Sequence, residues 1–158
     1  MNDPDPTGRV RPGSARPASY SRVSLAEIAR LPQANVHGTL HGGEILKMAD
    51  SAAGVASRRH CGMTTVTRAI EGASFEVPVE VGSLVYATAS VVSTGRTSIR
   101  VSVLIENEPL STPTPGERTR VAEVVFVMVA IGEDGRPVPV PGLAEEPDQP
   151  VGESAPTS

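Results

Sequence analysis

The sequence predicts an α+β fold in which one long helix is wrapped by an antiparallel sheet. Apolar residues recur at helical spacing between residues 43 and 59, whereas from residue 64 onward they follow the period of a β-strand. At 158 residues with 39% hydrophobic content, the chain can bury one core, and a single domain is expected. One long helix followed by a run of strands, with no repeat, favours a sheet that covers the helix.

Two helices are predicted before the strands begin. Residues 24–31 have Ser24 as an N-cap, Glu27 as its capping-box partner and Pro32 as a stop. Residues 43–59 then carry a wide, alanine-rich apolar arc that spreads over roughly half of the helix circumference. Such an arc suits a helix packed on several sides, so we expect this second helix to be central.

Four strands are predicted after the long helix. The first covers residues 64–75 with an interruption at Gly72, and the next two alternate between apolar and polar residues at 85–91 and 99–105. The fourth, residues 121–131, is almost continuously apolar, which predicts a central strand buried on both faces. Turn residues lie at 82–83, 94–96 and 133–135.

Composition limits the domain to the middle of the chain and excludes several function classes. Residues 1–20 and 144–158 are poor in apolar residues, so we expect two disordered tails around one domain at 21–143. A net charge of −4 without a basic block argues against nucleic acid as a partner, and no apolar run has membrane-spanning length. With no signal sequence and with Cys61 as the only cysteine, we expect a cytoplasmic protein without disulfides.

The segment richest in functional signals lies at the start of the long helix. Gly42 and Gly43 can bring bare backbone N–H groups close to a ligand, where the positive end of the helix dipole stabilises an oxyanion. Asp50 is a carboxylate among apolar neighbours, and such an acid needs a partner or a chemical role. Acyl hydrolysis needs at least two groups, a hydrogen-bond donor for the oxyanion and a carboxylate that activates water. The alternative is a structural Asp50 paired with Lys47 or an arginine.

Three histidines and the cysteine raise the alternative of a zinc site, since His37 and His41 have a ligand-like interval. Gly38 and Gly42 interrupt any helix there, however, and no carboxylate completes a tight site. We therefore expect no metal. His41 is better explained as a residue that orders the loop before the long helix.

The order of these motifs resembles that of the hotdog-fold acyl-CoA thioesterases, in the acyl-CoA hydrolase branch. The resemblance rests on His-Gly-Gly before an apolar helix with Met-Ala-Asp, on the following Arg-His-Cys, and on a Gly-x-x-Phe motif that ends at Phe75. It continues through Val-Pro-Val-Glu-Val-Gly, Thr-Gly-Arg-Thr-Ser and Asp-Gly-Arg-Pro, and covers about residues 21–143. It implies a hotdog fold that hydrolyses an acyl-CoA thioester to a free acid and coenzyme A. Coenzyme A is then part of the substrate, and no cofactor is expected.

The resemblance also implies roles for individual residues. Asp50 would activate water or attack the thioester, and the Gly43 N–H would hold the oxyanion. Thr39 stands where this family usually has Asn or Asp, and a threonine can position a group by a hydrogen bond but cannot act as a base. His41 is the remaining catalytic candidate. The substrate-binding candidates are Gly42, Phe75 and a turn suited to the phosphates of coenzyme A, formed by Arg96, Thr97 and Ser98.

Helix geometry predicts that the site is shared between subunits. Gly43 and Asp50 are seven residues apart, which places them within roughly 20° around the helix axis and about 10 Å apart along it. One carbonyl group cannot contact both the N–H and a water held by the carboxylate across that gap, because each contact needs about 3 Å. We therefore expect a homodimer with antiparallel central helices. The resemblance implies further assembly, such as a tetramer or hexamer.

Two other functions are compatible with this fold. A non-catalytic acyl-CoA-binding or sensing protein is the alternative to an enzyme, although residues 1–20 are too short and proline-rich for the DNA-binding module of known sensors. A hydratase or dehydratase would need an Asp/His pair at a spacing that the sequence lacks.

Overall fold

The computed structural model describes residues 14–111 and 116–147, which contain one sheet and one long helix. The helices are α1 (Ala18–Ser21) and α2 (Gly42–Cys61), with a 3-10 turn at Leu31–Gln33 between them. The strands are β1 (Val23–Ile28), β2 (Thr64–Phe75), β3 (Leu84–Thr94), β4 (Ser98–Glu108) and β5 (Thr119–Ile131). All neighbours pair antiparallel in the order β1-β3-β4-β5-β2, and the α+β prediction is confirmed. Within this part of the chain no helix is long and apolar enough to cross a membrane.

Helix α2 packs along one face of the sheet and contacts every strand. Small side chains on its buried face let the helix approach the strands closely, and branched and aromatic residues of the sheet fill the other side of the core. Fully buried on the helix side are Ala49, Ala52, Ala53 and Ala56, and on the sheet side Val103, Ile105, Val124 and Phe126. The helix ends at Gly62, whose φ of 74° is the left-handed conformation that favours glycine.

The predicted helix at residues 24–31 is wrong, because this segment contains strand β1. Ser24 does not cap a helix; its hydroxyl lies 3.0 Å from the hydroxyl of Thr88 on β3. Pairing along the whole of β1 satisfies edge N–H and C=O groups of β3. A helix of eight residues has little stability of its own, so pairing with the sheet outweighs the capping signal.

Strand β5 is not buried on both faces, contrary to the prediction. It lies between β4 and β2, and buried and half-buried residues alternate along most of its length. Val124 and Phe126 are buried beneath α2, whereas Val125 and Val127 point to the opposite face and are half-buried. The reason is that α2 covers only one face of the sheet in the protomer.

Residues 14–20, which composition assigns to a disordered tail, are packed on the domain. Arg16 pairs with Leu143 through two backbone hydrogen bonds of 2.9 Å, from the Arg16 N–H to Gly142 and from the Ala144 N–H to Arg16. Composition does not reveal this contact, because backbone pairing and the hydrogen bonds of the Arg16 side chain, not apolar burial, hold the segment. Residues 144–147 of the predicted C-terminal tail are also held, since Glu146 accepts the Ser19 N–H at 2.8 Å. The remaining tail residues, 1–13 and 148–158, lie outside the described residues.

Strand β2 forms one edge of the sheet, and β5 is its only neighbour within the described ranges. Apart from Thr65, every residue of β2 is exposed, including the large apolar residues Val66, Ile70 and Phe75. Its pairing with β5 shifts register just before Gly72, where the sequence predicts an interruption. A long, exposed, apolar edge strand is a surface that proteins usually cover.

Candidate active site

Asn35 holds the loop that precedes α2. Its side-chain oxygen accepts hydrogen bonds from the N–H groups of His37 at 2.9 Å and Thr39 at 3.3 Å, and its amide nitrogen donates to the Thr39 hydroxyl at 3.0 Å. The Leu40 N–H then donates to the Val79 carbonyl at 2.8 Å. The candidate Thr39 is therefore fixed at the helix entrance. Asn35 does not stand out in the sequence, because an asparagine in a loop resembles an ordinary turn residue.

Helix α2 begins at Gly42, with His41 as the N-cap residue. The His41 carbonyl accepts the N–H groups of Glu44 and Ile45 at 3.0 and 3.2 Å, while its side chain makes no capping hydrogen bond. As first-turn residues, Gly42 and Gly43 have no carbonyl within the helix to accept their N–H groups. Both are exposed, so their donors can serve a ligand.

Gly43 is not required by the fold. Its φ is not positive, and a Cβ built on it would have nothing within 4 Å. Glycine inside a helix costs about 1 kcal/mol relative to alanine, so stability alone would favour alanine here. The protomer therefore gives no packing reason for the glycine, and close approach of a ligand or a second chain to the backbone is a setting in which proteins use glycine.

A cleft of about 330 Å³ opens beside the start of α2. Its apolar lining residues are Leu40, Ile45, Phe75, Val77, Pro78 and Val79. The Phe75 ring lies against the helix start, with carbons 3.6 Å from the position that a Cβ on Gly42 would occupy. Three of the predicted site residues, Thr39, Gly42 and Phe75, therefore meet at this cleft.

Asp50 lies outside the cleft, two turns further along α2, and is exposed. The Thr67 hydroxyl on β2 donates a hydrogen bond of 2.5 Å to Asp50 Oδ1. Asp50 and Lys47, both within the described residues, form no ion pair. The alternative that Asp50 is a structural residue paired with Lys47 is therefore not supported. Thr67 was missed from the sequence because a threonine among β-branched residues is typical of any strand.

The turn at residues 96–98 lies at the opposite end of the protomer from Gly42. Thr94, just before it, accepts the Leu143 N–H at 3.1 Å. Leu143 pairs with Arg16, whose side chain binds carbonyl groups at the last turn of α2. Within one chain, the structure therefore does not bring the predicted phosphate-binding turn to the start of α2.

His60 is buried at the C-terminal end of α2, away from the cleft. Arg16 Nη1 donates to the carbonyls of His60 at 2.6 Å and Arg59 at 3.1 Å, and His60 Nδ1 lies 3.4 Å from the Ser21 hydroxyl. Burial lowers the pKa of His60, and the neighbouring Arg16 guanidinium lowers it further. This histidine therefore belongs to the core. Across residues 14–111 and 116–147, no three His, Cys, Asp or Glu side chains are grouped as a metal site requires.

Comparison with known sequences shows one family. Residues 37–114 match the family model described as the Thioesterase superfamily. Protein VdlD of Helicobacter pylori is 38% identical over 124 residues, which are 78% of this chain and 69% of that protein. The cytosolic acyl coenzyme A thioester hydrolase of Rattus norvegicus is 30% identical over 128 residues, which are 81% of this chain. The chain spans about a third of the length of that hydrolase, 33%.

Solved structures share the arrangement of the sheet and helix. An apo-hexameric acyl-CoA thioesterase superposes with a TM-score of 0.79 and 33% identity, over 86% of this chain and 84% of that one. The acyl-CoA hydrolase of Staphylococcus aureus, solved with butyryl coenzyme A and coenzyme A, superposes with a TM-score of 0.76 and 25% identity, over 83% and 78% of the two chains. Sequence and fold comparisons thus lead to the same group of proteins.

Proposed function

Since the chain belongs to the thioesterase superfamily, among the hotdog-fold acyl-CoA hydrolases, we propose that it hydrolyses acyl-CoA thioesters to a free acid and coenzyme A. The observation that carries the proposal is the exposed, two-glycine start of α2 beside an apolar cleft. Backbone N–H groups at such a helix start can hold the acyl oxygen, and the cleft can hold an apolar group.

The reaction needs a donor for the oxyanion and a base for water, which we assign to the Gly43 N–H and to Asp50. Water gives a proton to the carboxylate as its oxygen adds to the acyl carbon, and the carbonyl oxygen becomes an oxyanion held by the N–H. The C–S bond then breaks, and the coenzyme A sulfur leaves with the proton. Direct attack by Asp50 would form an anhydride instead. A single turnover in water labelled with heavy oxygen distinguishes the routes, because only direct attack can transfer an enzyme oxygen to the acid.

Two subunits are needed to complete this site in our proposal. Gly43 and Asp50 lie about 10 Å apart along one helix axis, and Asp50 does not line the cleft. The exposed β2 edge offers a route to the dimer. Pairing β2 with its own copy about a two-fold axis places early residues of one strand against late residues of the other. Thr67, with the Asp50 it holds, then approaches Phe75 and the helix start of the second chain.

Further assembly of such dimers into a hexamer is part of the same proposal. Three of the similar thioesterase structures are described as hexameric, and they share the fold of this chain. A mass measurement in solution tests this assignment, and a monomer at micromolar concentration would contradict both the hexamer and the shared site.

The other candidate residues have supporting roles. We assign to Thr39, which Asn35 holds at the cleft, the binding of the acyl carbonyl or a water. His41 shapes the helix start through its carbonyl, which accepts two helix N–H groups. The turn at residues 96–98 contacts the phosphates of coenzyme A from the second chain, because antiparallel helices bring the far end of one chain toward the helix start of the other.

Asp50→Asn tests the assignment of the carboxylate, since it keeps the shape and removes the basicity. We expect turnover of butyryl-CoA to fall about 10²–10⁴-fold, while thermal stabilisation by coenzyme A survives. Asp134→Asn, the same exchange in an exposed turn, is the matched control and should retain turnover. Stabilisation of the wild-type protein by a panel of acyl-CoAs, without release of free thiol, would show a binding protein and overturn the proposed hydrolysis.

A further inference from the structure

We infer that the cleft beside Gly42 binds the acyl chain of the substrate and selects uncharged acyl groups over acyl groups that end in a carboxylate. This inference rests on the proposed function and names its substrate class. It assigns a specificity role to Glu76, the acidic residue among those that line the cleft.

The lining of the cleft suits an alkyl chain. The apolar side chains that it exposes are Phe75, Val77 and Pro78, and each methylene of a chain bound against them would leave water for an apolar surface. The cleft also adjoins Gly42, at the helix start that would hold the acyl oxygen. A chain attached to that carbonyl can therefore enter the cleft directly.

Charge at the cleft is negative. No Lys, Arg or His side chain is among its lining residues, whereas Glu76 is. Arg120 pairs with Glu76 at 2.7 Å, but it also pairs with Glu123 at 2.7 Å. One guanidinium is thus shared by two carboxylates, and the group retains one excess negative charge. A carboxylate at the end of an acyl chain would meet this charge and lose water without gaining a cation.

The chain-binding part of the inference is tested by Phe75→Ala. Phe75 forms a half-exposed wall of the cleft, 49% exposed, and its removal widens the space. We expect the ratio of kcat/KM for octanoyl-CoA to that for butyryl-CoA to rise about threefold or more, since each added methylene gains buried surface. If the cleft instead held the pantetheine arm, which all these substrates share, kcat/KM would change equally for every chain length. That result would overturn the assignment of the acyl chain.

The charge selection is tested with succinyl-CoA and butyryl-CoA, which have the same number of acyl carbons. We expect the wild-type protein to prefer butyryl-CoA in kcat/KM by about tenfold or more, and Glu76→Gln to reduce this preference about two- to fivefold at low salt. Glu133→Gln, an equal change of net charge in an exposed turn, should leave the preference unchanged. In about 1 M salt, screening should shrink the difference between Glu76→Gln and the wild-type protein.

The possible results distinguish a failure of the charge selection from a failure of the proposed function. Hydrolysis of both substrates with a preference that Glu76→Gln does not alter would refute the charge selection and leave the proposed function standing. Failure of the wild-type protein to hydrolyse any acyl-CoA would overturn the proposed function itself.

Discussion

At the scale of single residues, the candidate site depends on side chains that hold other side chains. Thr67 on β2 fixes one oxygen of Asp50 on α2, and Asn35 fixes the hydroxyl of Thr39 before the helix. A carboxylate held at one oxygen keeps its orientation without a strong counter-charge. Such support converts a flexible polar group into one with a defined direction.

Thr67→Val should separate positioning from binding, because it removes the hydroxyl and keeps the shape. We expect kcat to fall about tenfold, with KM for acyl-CoA little changed, and Thr67→Ser to restore most of the rate. Steady-state kinetics of the three proteins provide the measurement. Thr64→Val makes the same exchange at the exposed start of β2 and is the control. Equal losses in Thr64→Val and Thr67→Val would show a general effect on the strand.

The two candidates found before any family resemblance was considered are residues that break a local rule. Gly43 is a glycine in a helix, and Asp50 is an acid in an otherwise mostly apolar helical segment. Thr67 and Asn35 obey local rules, as a β-branched residue in a strand and an amide in a loop, and only the packed structure brings them to the site. Local inconsistency is therefore the part of a site that sequence reasoning can detect.

Stability should depend on pH through His60. Burial lowers the pKa of this histidine in the folded state below its ordinary value of 6.5, so the unfolded chain binds the proton more readily. The stabilising effect of the neutral ring is fully present above that ordinary value and is lost as pH falls through the folded-state pKa. Urea denaturation from about pH 7 to pH 5 should show a falling free energy of unfolding. His60→Phe should flatten this slope, and an unchanged slope would contradict the assignment.

At the scale of elements, the length of a pattern decides how well it predicts structure. The long helix and the four long strands have periodic patterns of about ten residues or more, and all are found near their predicted positions. Strand β1 has six residues and takes its structure from β3. The exposure of one face of β5 likewise depends on which face of the sheet α2 covers. The sequence of β5 alone does not show this.

Arg16 gives the N-terminal segment a measurable role in stability, contrary to its composition. Arg16→Ala would leave the last carbonyls of α2 without their donor, and buried groups left unpaired cost about 1–3 kcal/mol. We expect a loss of that order in the free energy of unfolding from urea titration. Arg22→Ala is the control. It removes an exposed arginine that directly follows α1 and should change the free energy of unfolding little.

Two truncations check the same segment without a point substitution. Removal of residues 1–13 should leave the melting temperature nearly unchanged, because Arg16 and its backbone pairing with Gly142 remain. Removal of residues 1–20 should lower it by several degrees, roughly the shift that 1–2 kcal/mol produces in a domain of this size. Equal melting temperatures for the two truncated proteins would show that residues 14–20 do not contribute to stability.

At the scale of the whole molecule, a shared site predicts that two inactive proteins can restore activity together. Asp50→Asn removes the base, and Gly43→Val blocks the approach to the helix start, although the protomer has open space at that position. In a mixed dimer, one site carries both lesions and the other carries neither. Co-refolding the two proteins should therefore recover part of the wild-type thiol release.

The mixing experiment has a clear opposite result. If Gly43 and Asp50 served the same site within one chain, every site would contain one lesion and no mixture would be active. Mass measurement must show heterodimers, and circular dichroism must show that each parent is folded. With both conditions met, an inactive mixture would contradict the shared site.

The exposed edge of β2 also affects the chain before it is assembled. A newly folded protomer displays unpaired backbone groups and the side chains of Val66, Ile70 and Phe75 along one strand. The same edge can pair with strands of unrelated or misfolded chains, which leads to aggregation. If the dimer forms through β2 as proposed, association and aggregation compete for one surface. The yield of folded protein would then depend on which encounter happens first, and we expect dilute, cool refolding to favour the dimer over aggregates.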